Sequence, residues 1–462
     1  MTMHGPVTLR RVLVANRGEI AVRVIRTCRR LGIETVLAAS DADLDSLGAR
    51  LADAVIRLGP AQPSASYLDV DAVVGAAVAA GADAVHPGYG FLSENRRLAQ
   101  ACAEHGIVFV GPTPEQLAAV GDKLAARAHA VAAGLPVVPG GEITSAAEAA
   151  RLADEIGWPV LIKAVGGGGG RGMKQVHVRT ELAAAIELAT AEAGSAFGDS
   201  RVYLERYVAS GRHVEVQLIG DGERVVHVGD RDCSVQRRYQ KLVEEAPAPL
   251  LDERLRADMH RAAVALGEHL SYRGLGTVEF LVDTSRGETA RGEFYFLEMN
   301  ARIQVEHPVT EAISGLDLVA EQLAVAEGHP LRLTQVDIVL SGHAIECRLN
   351  AEDPARDFRP SPGTVTRAAF PAGPGIRVDT HVQAGAGVPP YYDSLLAKLI
   401  THGADRTEAL RRMESALERC ELEGVATTVP MHLALVGDPV FARGGVDTAY
   451  FSEFLAGQVA RV

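Results

Sequence analysis

The chain has 462 residues, with 46 Lys and Arg against 59 Asp and Glu and a formal net charge of −13, which suits about three soluble domains and argues against a nucleic-acid surface. The longest apolar stretch, Ala72–Ala82, is too short and too rich in Ala and Gly to span a bilayer, and Val12-Leu13-Val14-Ala15 is too short for a secretory segment. Five scattered cysteines (Cys28, Cys102, Cys233, Cys347, Cys420) without a Cys-x-x-Cys point to a reducing cytoplasm, with no disulfide framework and no zinc site.

The first hundred or so residues alternate strand and helix. The pattern predicts strand Arg11–Ala15, helix Gly18–Leu31, strand Glu34–Ala38, helix Asp69–Ala80, strand Ala84–His86, helix Asn95–Glu104 and strand Ile107–Val110. That order predicts a doubly wound parallel sheet, which binds ligands beyond its strand C-termini. Those ends carry Asn16-Arg17-Gly18-Glu19 and His86-Pro87-Gly88-Tyr89-Gly90-Phe91. A helical stretch over Asp122–Ala133 leads to the breakers Pro136, Pro139, Gly140 and Gly141, where a boundary is expected. An α+β module follows: helix Ala146–Ile156, strand Val160–Val165, a glycine loop, strand Lys174–Val178, helix Glu181–Ala193 and strand Val202–Tyr207. Further strands are expected at Val214–Ile219, Val225–Val228, Val278–Asp283 and Phe294–Met299. From Gly342 the chain reads as mixed strands with a terminal helix.

The densest chemistry lies at 298–308, Glu-Met-Asn-Ala-Arg-Ile-Gln-Val-Glu-His-Pro, directly after the apolar strand Phe294–Leu297. Glu298 and Asn300 offer oxygen ligands of the kind Mg2+ takes. Arg302 can bind a planar anion bidentately, and Glu306 is a carboxylate available as a base. The plain alternative is a strand running into a polar loop. Lys163 ends a strand and precedes Gly166-Gly167-Gly168-Gly169-Gly170-Arg171-Gly172. Such a run lets backbone N–H groups approach phosphate, and the lysine adds a point charge. The spacing is neither a P-loop nor a dinucleotide fingerprint. A flexible surface hairpin is the alternative, and the same glycines suit a mobile lid.

If Val278–Asp283 and Phe294–Met299 form a symmetric hairpin with Asp283 opposite Phe294, Glu279 falls opposite Glu298. Facing like charges are destabilising unless a cation sits between them. That predicts a metal site of Glu279, Glu298 and Asn300, against the alternative of two solvated acids. Taken alone, Glu205-Arg206-Tyr207-Val208 reads as structural, His213 is ambiguous, Gln236–Lys241 is either a dense donor cluster or a solvated charge patch, and Arg348 is a strand arginine that faces solvent or pairs with an acid such as Glu346. Glu244-Glu245 reads as balancing the basic cluster, and Tyr391-Tyr392-Asp393-Ser394 as a turn.

Taken together, these segments resemble the biotin carboxylase family of the ATP-grasp superfamily, from about Arg11 to about Phe454. Ala15–Ile20, His86–Asn95, Gly166–Met173, Arg231-Asp232-Cys233-Ser234, Glu298–Glu311 and Pro389–Ser394 match in order. The resemblance implies a mixed α/β and α+β fold. It would comprise an N-terminal doubly wound (pre-ATP-grasp) domain at 1–115, a helical linker at 116–138 and a mobile ATP-grasp lid at 139–208. An ATP-grasp core at 209–341 and a C-terminal biotin carboxylase domain at 342–455 would follow. It also implies ATP-dependent carboxylation of biotin by bicarbonate, with ATP and Mg2+ or Mn2+ at two sites.

By the same resemblance Lys123, Lys163 and His213 contact the nucleotide, and Gly168, Gly169 and Gly170 cover its phosphates. Glu205 and the backbone of Arg206 and Val208 form the adenine hinge, with Gln236 and Tyr239 nearby. Glu279, Glu298 and Asn300 hold metal. Lys241, Arg302, Gln304 and the backbone of Val305 bind bicarbonate. Glu306 is the base, Arg348 faces the biotin enolate, and Tyr89 stands on the substrate side.

Some positions depart from the family pattern. Tyr239 stands where many members carry histidine, Arg206 replaces a hinge lysine and Ala301 a threonine. Arg30 and Pro374 replace the acidic and aromatic residues of the bacterial homodimer interface, which puts that homodimer in question. The chain has no Ala-Met-Lys-Met motif before it stops at Val462, so biotin is expected on a separate biotin carboxyl carrier protein. A separate carboxyltransferase subunit is expected too, as in a cytoplasmic bacterial acyl-CoA carboxylase. Acetyl-CoA, propionyl-CoA and pyruvate all remain open as acceptors. The competing readings are another ATP-grasp ligase, or a degenerate subunit that binds nucleotide without turnover. A dinucleotide dehydrogenase fails because the glycine run lies in the wrong module.

Overall fold

The structure, a computed structural model, describes residues 7–166, 173–285 and 293–459. Strands β1 (Arg11–Val14), β2 (Glu34–Ser40), β3 (Ala54–Gly59), β4 (Ala84–His86) and β5 (Val108–Phe109) form a parallel sheet in the order β3-β2-β1-β4-β5. The apolar β1 is buried on both faces, as an inner parallel strand must be. The strand order turns between β1 and β4, where such sheets open a crevice. There the Asn16 side chain donates to the carbonyls of Pro87 and Tyr89, both at 2.7 Å, and ties the two strand ends together.

Helix Gly18–Leu31 forms as expected. Asp69 and Asn95 are N-caps rather than first helical residues, accepting from the N–H groups of Ala72 and Leu98. The sequence reading did not include β3. It is an edge strand with Ala54 and Val55 exposed, so its side chains carry no clear alternation. The expected helical stretch at Asp122–Ala133 is helix Lys123–Ala132, and a separate helix, Pro114–Gly121, precedes it. Asp122 caps the second of these.

Strands β6 (Gly140–Glu142), β7 (Val160–Ala164), β8 (Met173–Val176) and β9 (Val202–Arg206) form a second, antiparallel sheet ordered β6-β9-β7-β8. Helices Ala146–Ile156 and Leu182–Phe197 cover it, and its own apolar core includes Ala149, Ile162 and Leu204. Gly140 and Gly141, read as breakers, lie within β6. A Cβ on Gly140 would stand 2.3 Å from the Leu204 carbonyl, so the close pairing with β9 requires glycine.

The third sheet has eight strands: β10 (Gly211–Asp221), β11 (Val225–Arg237), β12 (Gln240–Ala246), β13 (Arg273–Asp283), β14 (Glu293–Asn300), β15 (His343–Asn350), Ile376–Thr380 and Leu395–Gly403. In space it runs β14-β13-β10-β11-β12-β15, then Leu395–Gly403, then Ile376–Thr380. Helix Glu253–His269, which the sequence reading did not include, packs on β10 and β11. The expected terminal helix is Tyr450–Val459, preceded by helices Arg406–Glu418, Val429–Val436 and Pro439–Arg443.

Glu279 does pair with Glu298, but the hairpin is not symmetric. Asp283 pairs with Glu293 rather than Phe294, and a bulge between Glu279 and Phe280 takes up the difference. Among the described residues no helix is long and apolar enough to cross a membrane.

Candidate active site

A cavity of about 1010 Å³ lies where the three sheets meet. Lys123, Lys163, Glu205, Arg206, Val208, His213, Gln236, Tyr239 and Lys241 line it, together with Glu279, Glu298, Asn300, Arg302, Gln304, Val305, Glu306, Arg348 and Tyr89. Gly168, Gly169 and Gly170 lie outside the described residues.

Lys241, early in β12, is the hub. Its Nζ is 2.5 Å from Glu215 Oε2, 2.9 Å from Glu279 Oε1 and 2.6 Å from Glu306 Oε1. Glu306 Oε2 accepts from Arg348 Nη2 at 2.9 Å, so one carboxylate joins the lysine and the arginine. Arg348 Nε donates to Glu244 Oε1 at 2.6 Å. In the second sheet, Lys163 on β7 pairs with Glu205 on β9. Lys123, at the start of its helix, reaches Glu298 Oε2 at 2.9 Å. His213 Nε2 is 2.9 Å from Glu279 Oε2, and its Nδ1 is 2.7 Å from Gln236 Nε2. Tyr239 occupies a two-residue turn with Arg238, both at positive φ, and is 58% exposed at the cavity rim.

The loop after β14 is held from several sides. Gln304 donates to Glu279 Oε1 at 2.9 Å and accepts from Arg231 at 3.0 Å. Arg302 Nε donates to Glu94 Oε2 at 2.9 Å and its Nη2 to Asn300 Oδ1 at 2.8 Å. The carbonyl of Val305 accepts from Lys398 Nζ at 2.8 Å, and the same nitrogen is 3.1 Å from Glu19 Oε1. Tyr89 donates to Glu19.

Sequence reasoning did not assign Glu215, Glu94, Glu244 or Lys398. Glu215 lies between His213 and Gln217 on a strand whose other face is Val214, Val216 and Leu218. In sequence that alternation reads as a half-solvated strand, yet both faces are buried. Arg231, in the Arg231-Asp232-Cys233-Ser234 motif, is a fully buried guanidinium. It bonds to Glu215, Gln217, Thr277, Gln304 and Thr310, which satisfies an otherwise costly charge.

A family model for the N-terminal domain of biotin carboxylase matches residues 8–117, and one for its C-terminal domain matches 346–453. Between them, the ATP-binding domain of the carbamoyl-phosphate synthase L chain matches 122–334. A protein named biotin carboxylase from Nostoc sp. is 48% identical over 446 residues, covering 96% of this chain and 98% of that one. The chain belongs to the biotin carboxylase family.

A second relative, one of the subunits of pyruvate carboxylase from Methanothermobacter thermautotrophicus, is 49% identical over 450 residues, 97% of this chain and 90% of that one. Among solved structures, a Campylobacter jejuni biotin carboxylase in a β,γ-ATP complex superposes with a TM-score of 0.93. It is 45% identical and covers 96% of this chain and 99% of its own. The biotin carboxylase domain dimer of Hydrogenobacter thermophilus 2-oxoglutarate carboxylase, solved with MgADP, ADP and bicarbonate, gives a TM-score of 0.91. It is 44% identical and covers 97% and 98% of the two chains.

The cavity charges hold one another in their ionised forms. Burial pushes Glu306 up, but Lys241, Arg348 and Arg231 together outweigh it and keep the carboxyl well below its ordinary range. Burial likewise opposes Lys241 and His213 at Glu279, and the two cations prevail. Lys241 is held well above its ordinary value, its burial being outweighed by the carboxylates of Glu215, Glu279 and Glu306.

Glu279 and Glu298 are hard oxygen donors facing one another, which fits a divalent cation of the Mg2+ type. The third expected ligand, Asn300, turns its Oδ1 to Arg302 and its Nδ2 to Glu279. His213, Glu215 and Glu279 also bring ligand atoms within 4.8 Å of one another, as do Glu215, Cys233 and Glu306. Lys241 bonds to carboxylates of both groups.

Proposed function

We propose that this chain, an ATP-grasp ligase, carboxylates biotin with bicarbonate and ATP through carboxyphosphate. The observation that carries the reading is the shared carboxylate of Glu306, bonded to Lys241 on the anion side and to Arg348 on the biotin side. In this reading Lys123, Lys163, His213, Gln236 and Tyr239 bind the nucleotide. Glu205 and the backbone of Arg206 and Val208 grip its adenine. Glu279, Glu298 and Asn300 would hold Mg2+ or Mn2+, which when bound neutralises charge on the transferring phosphoryl group.

Arg302, Gln304, Lys241 and the Val305 backbone seat bicarbonate. Glu306 accepts its proton, a bicarbonate oxygen bonds to the γ-phosphorus, and ADP leaves. Glu306 is ionised but weakly basic while both cations hold it. Anions arriving at Lys241 compete for that lysine and strengthen the base. Carboxyphosphate hydrolyses readily, so the module around β6–β9 closes to exclude water. It decays to CO2 and phosphate. The phosphate takes the N1 proton of biotin, the enolate charge faces Arg348, and N1 attacks CO2.

Biotin arrives on a separate carrier protein, and a carboxyltransferase partner passes the carboxyl group to an acyl-CoA. Pyruvate is the second reading for that acceptor, favoured by the 49% identity with the pyruvate carboxylase relative. Arg30 pairs with Asp317 of its own chain, and a relative of this chain was solved as a dimer, so a homodimer of this chain is an assembly to be tested by light scattering. The test is ADP release by the purified chain with MgATP and radiolabelled bicarbonate, with and without free biotin. Biotin-stimulated ADP release and label in carboxybiotin support the reading. ATP binding without label in biotin, either free or on the carrier, removes it.

A further inference from the structure

Glu244 in β12 and Glu346 in β15 stand opposite one another in the antiparallel ladder, and both are fully buried. Two carboxylates so placed cannot both keep a charge away from water. Their surroundings differ. Glu244 Oε1 holds Arg348, whereas neither oxygen of Glu346, nor Oε2 of Glu244, accepts a hydrogen bond among the described residues. A proton on Glu346 turns a stranded acceptor into a donor beside a stranded acceptor.

The nearby cations are committed elsewhere. Lys241 serves Glu215, Glu279 and Glu306, and Lys398 serves Glu19 and the Val305 carbonyl. Glu306 adds a further negative charge. Burial keeps the Cys233 and Cys347 thiols and the His307 ring neutral. Among the described residues no nearby group therefore offers Glu346 a hydrogen bond in place of its own proton.

We propose that Glu244 and Glu346 are positioning residues for the biotin step: Glu346 carries one proton for the pair, and the ionised Glu244 holds the Arg348 guanidinium against Glu306. This rests on the reading that Arg348 serves biotin. Glu244 Oε1 meets both Nε and Nη2 of that guanidinium and Glu306 Oε2 meets Nη2, while its Nη1 makes no hydrogen bond to a described residue and stays available to substrate. Burial raises the Glu244 carboxyl to about 7, against Arg348 and with Glu306 adding to the rise. Burial also pushes Glu346 well above its ordinary range, against Lys398 and with Glu244 adding. As pH falls through the Glu244 range the pair takes a second proton and Arg348 is released. The biotin step therefore speeds up as pH rises through about 7.

Two measurements test this. In infrared difference spectra at neutral pH, Glu346→Gln should remove one protonated-carboxyl C=O band; no loss of such a band overturns the proton assignment. In kinetics, Glu244→Gln should lower kcat/KM for biotin by about tenfold or more, the worth of a charge-assisted hydrogen bond. Bicarbonate-dependent ATP cleavage without biotin should change much less than the biotin step, because Lys241 still holds Glu306, and the acid limb of the biotin step should vanish. Glu244→Asp, which keeps the charge, should restore part of the rate and the limb. Equal losses in both activities, or an unchanged acid limb, overturn the positioning role. If even the wild-type chain puts no label into biotin, the functional reading has failed, and the infrared result still decides where the proton lies.

Discussion

Glu306 is held by two cations from opposite directions, so replacing it separates binding from chemistry. Glu306→Gln keeps the shape and removes the charge. It should cut bicarbonate-dependent ATP cleavage by about a hundredfold or more, the usual worth of a general base. Nucleotide affinity, measured by calorimetry, should stay within about threefold. Tyr239 is a milder case, because its ring sits at the rim on a turn, 58% exposed. Tyr239→His should change the KM for ATP by less than about tenfold, one hydrogen bond's worth, and leave kcat nearly unaltered. The polar run Glu298–Glu306 was readable as a site because such residues seldom follow an apolar strand without a ligand. Glu215 and Glu94 were not. Glu215 hides in an alternation that mimics a solvated strand, and Glu94 acts across a sequence distance of 208 residues.

Two strands show where local patterns stop informing. The facing of Glu279 and Glu298 was inferred from a symmetric hairpin, and it holds although the outer rungs are shifted by one residue. The bulge brings the two acids into register, and a bulge has no side-chain signature. In β6 Gly140, one of the glycines that resemble a linker, is instead what allows close pairing with β9. Lys398, on strand Leu395–Gly403, is fully buried and joins that strand to Glu19 and to the Val305 carbonyl. Lys398→Met removes one partner of a buried pair, and urea unfolding should show a loss of about 3–5 kcal/mol. The KM for bicarbonate should rise with it, because the loop after β14 loses its support.

At the scale of the molecule the site belongs to no single sheet. Glu94 follows the parallel sheet's β4 in sequence yet bonds to Arg302 and to the N–H of Ala301 in the loop after β14. Glu94→Gln should raise the KM for bicarbonate about tenfold, the worth of one charge-assisted hydrogen bond, with the KM for ATP little changed. The doubly wound order of the N-terminal sheet was readable because each strand and helix keeps its own period. The joining of β12 to β15 was not, since nearly a hundred residues separate them in the chain.

That joining bears on how the chain could be divided. The match to the central family model ends at 334 and the next begins at 346, yet β12 and β15, on either side, share one sheet. A fragment cut between them would bare an inner strand whose unpaired backbone and carboxyl groups were never shaped for water. Such a piece should recruit foreign strands and precipitate rather than fold alone. The two segments that sequence comparison treats as separate modules are, in hydrogen-bonding terms, a single cooperative unit, and any split, swap or fusion has to respect the seam.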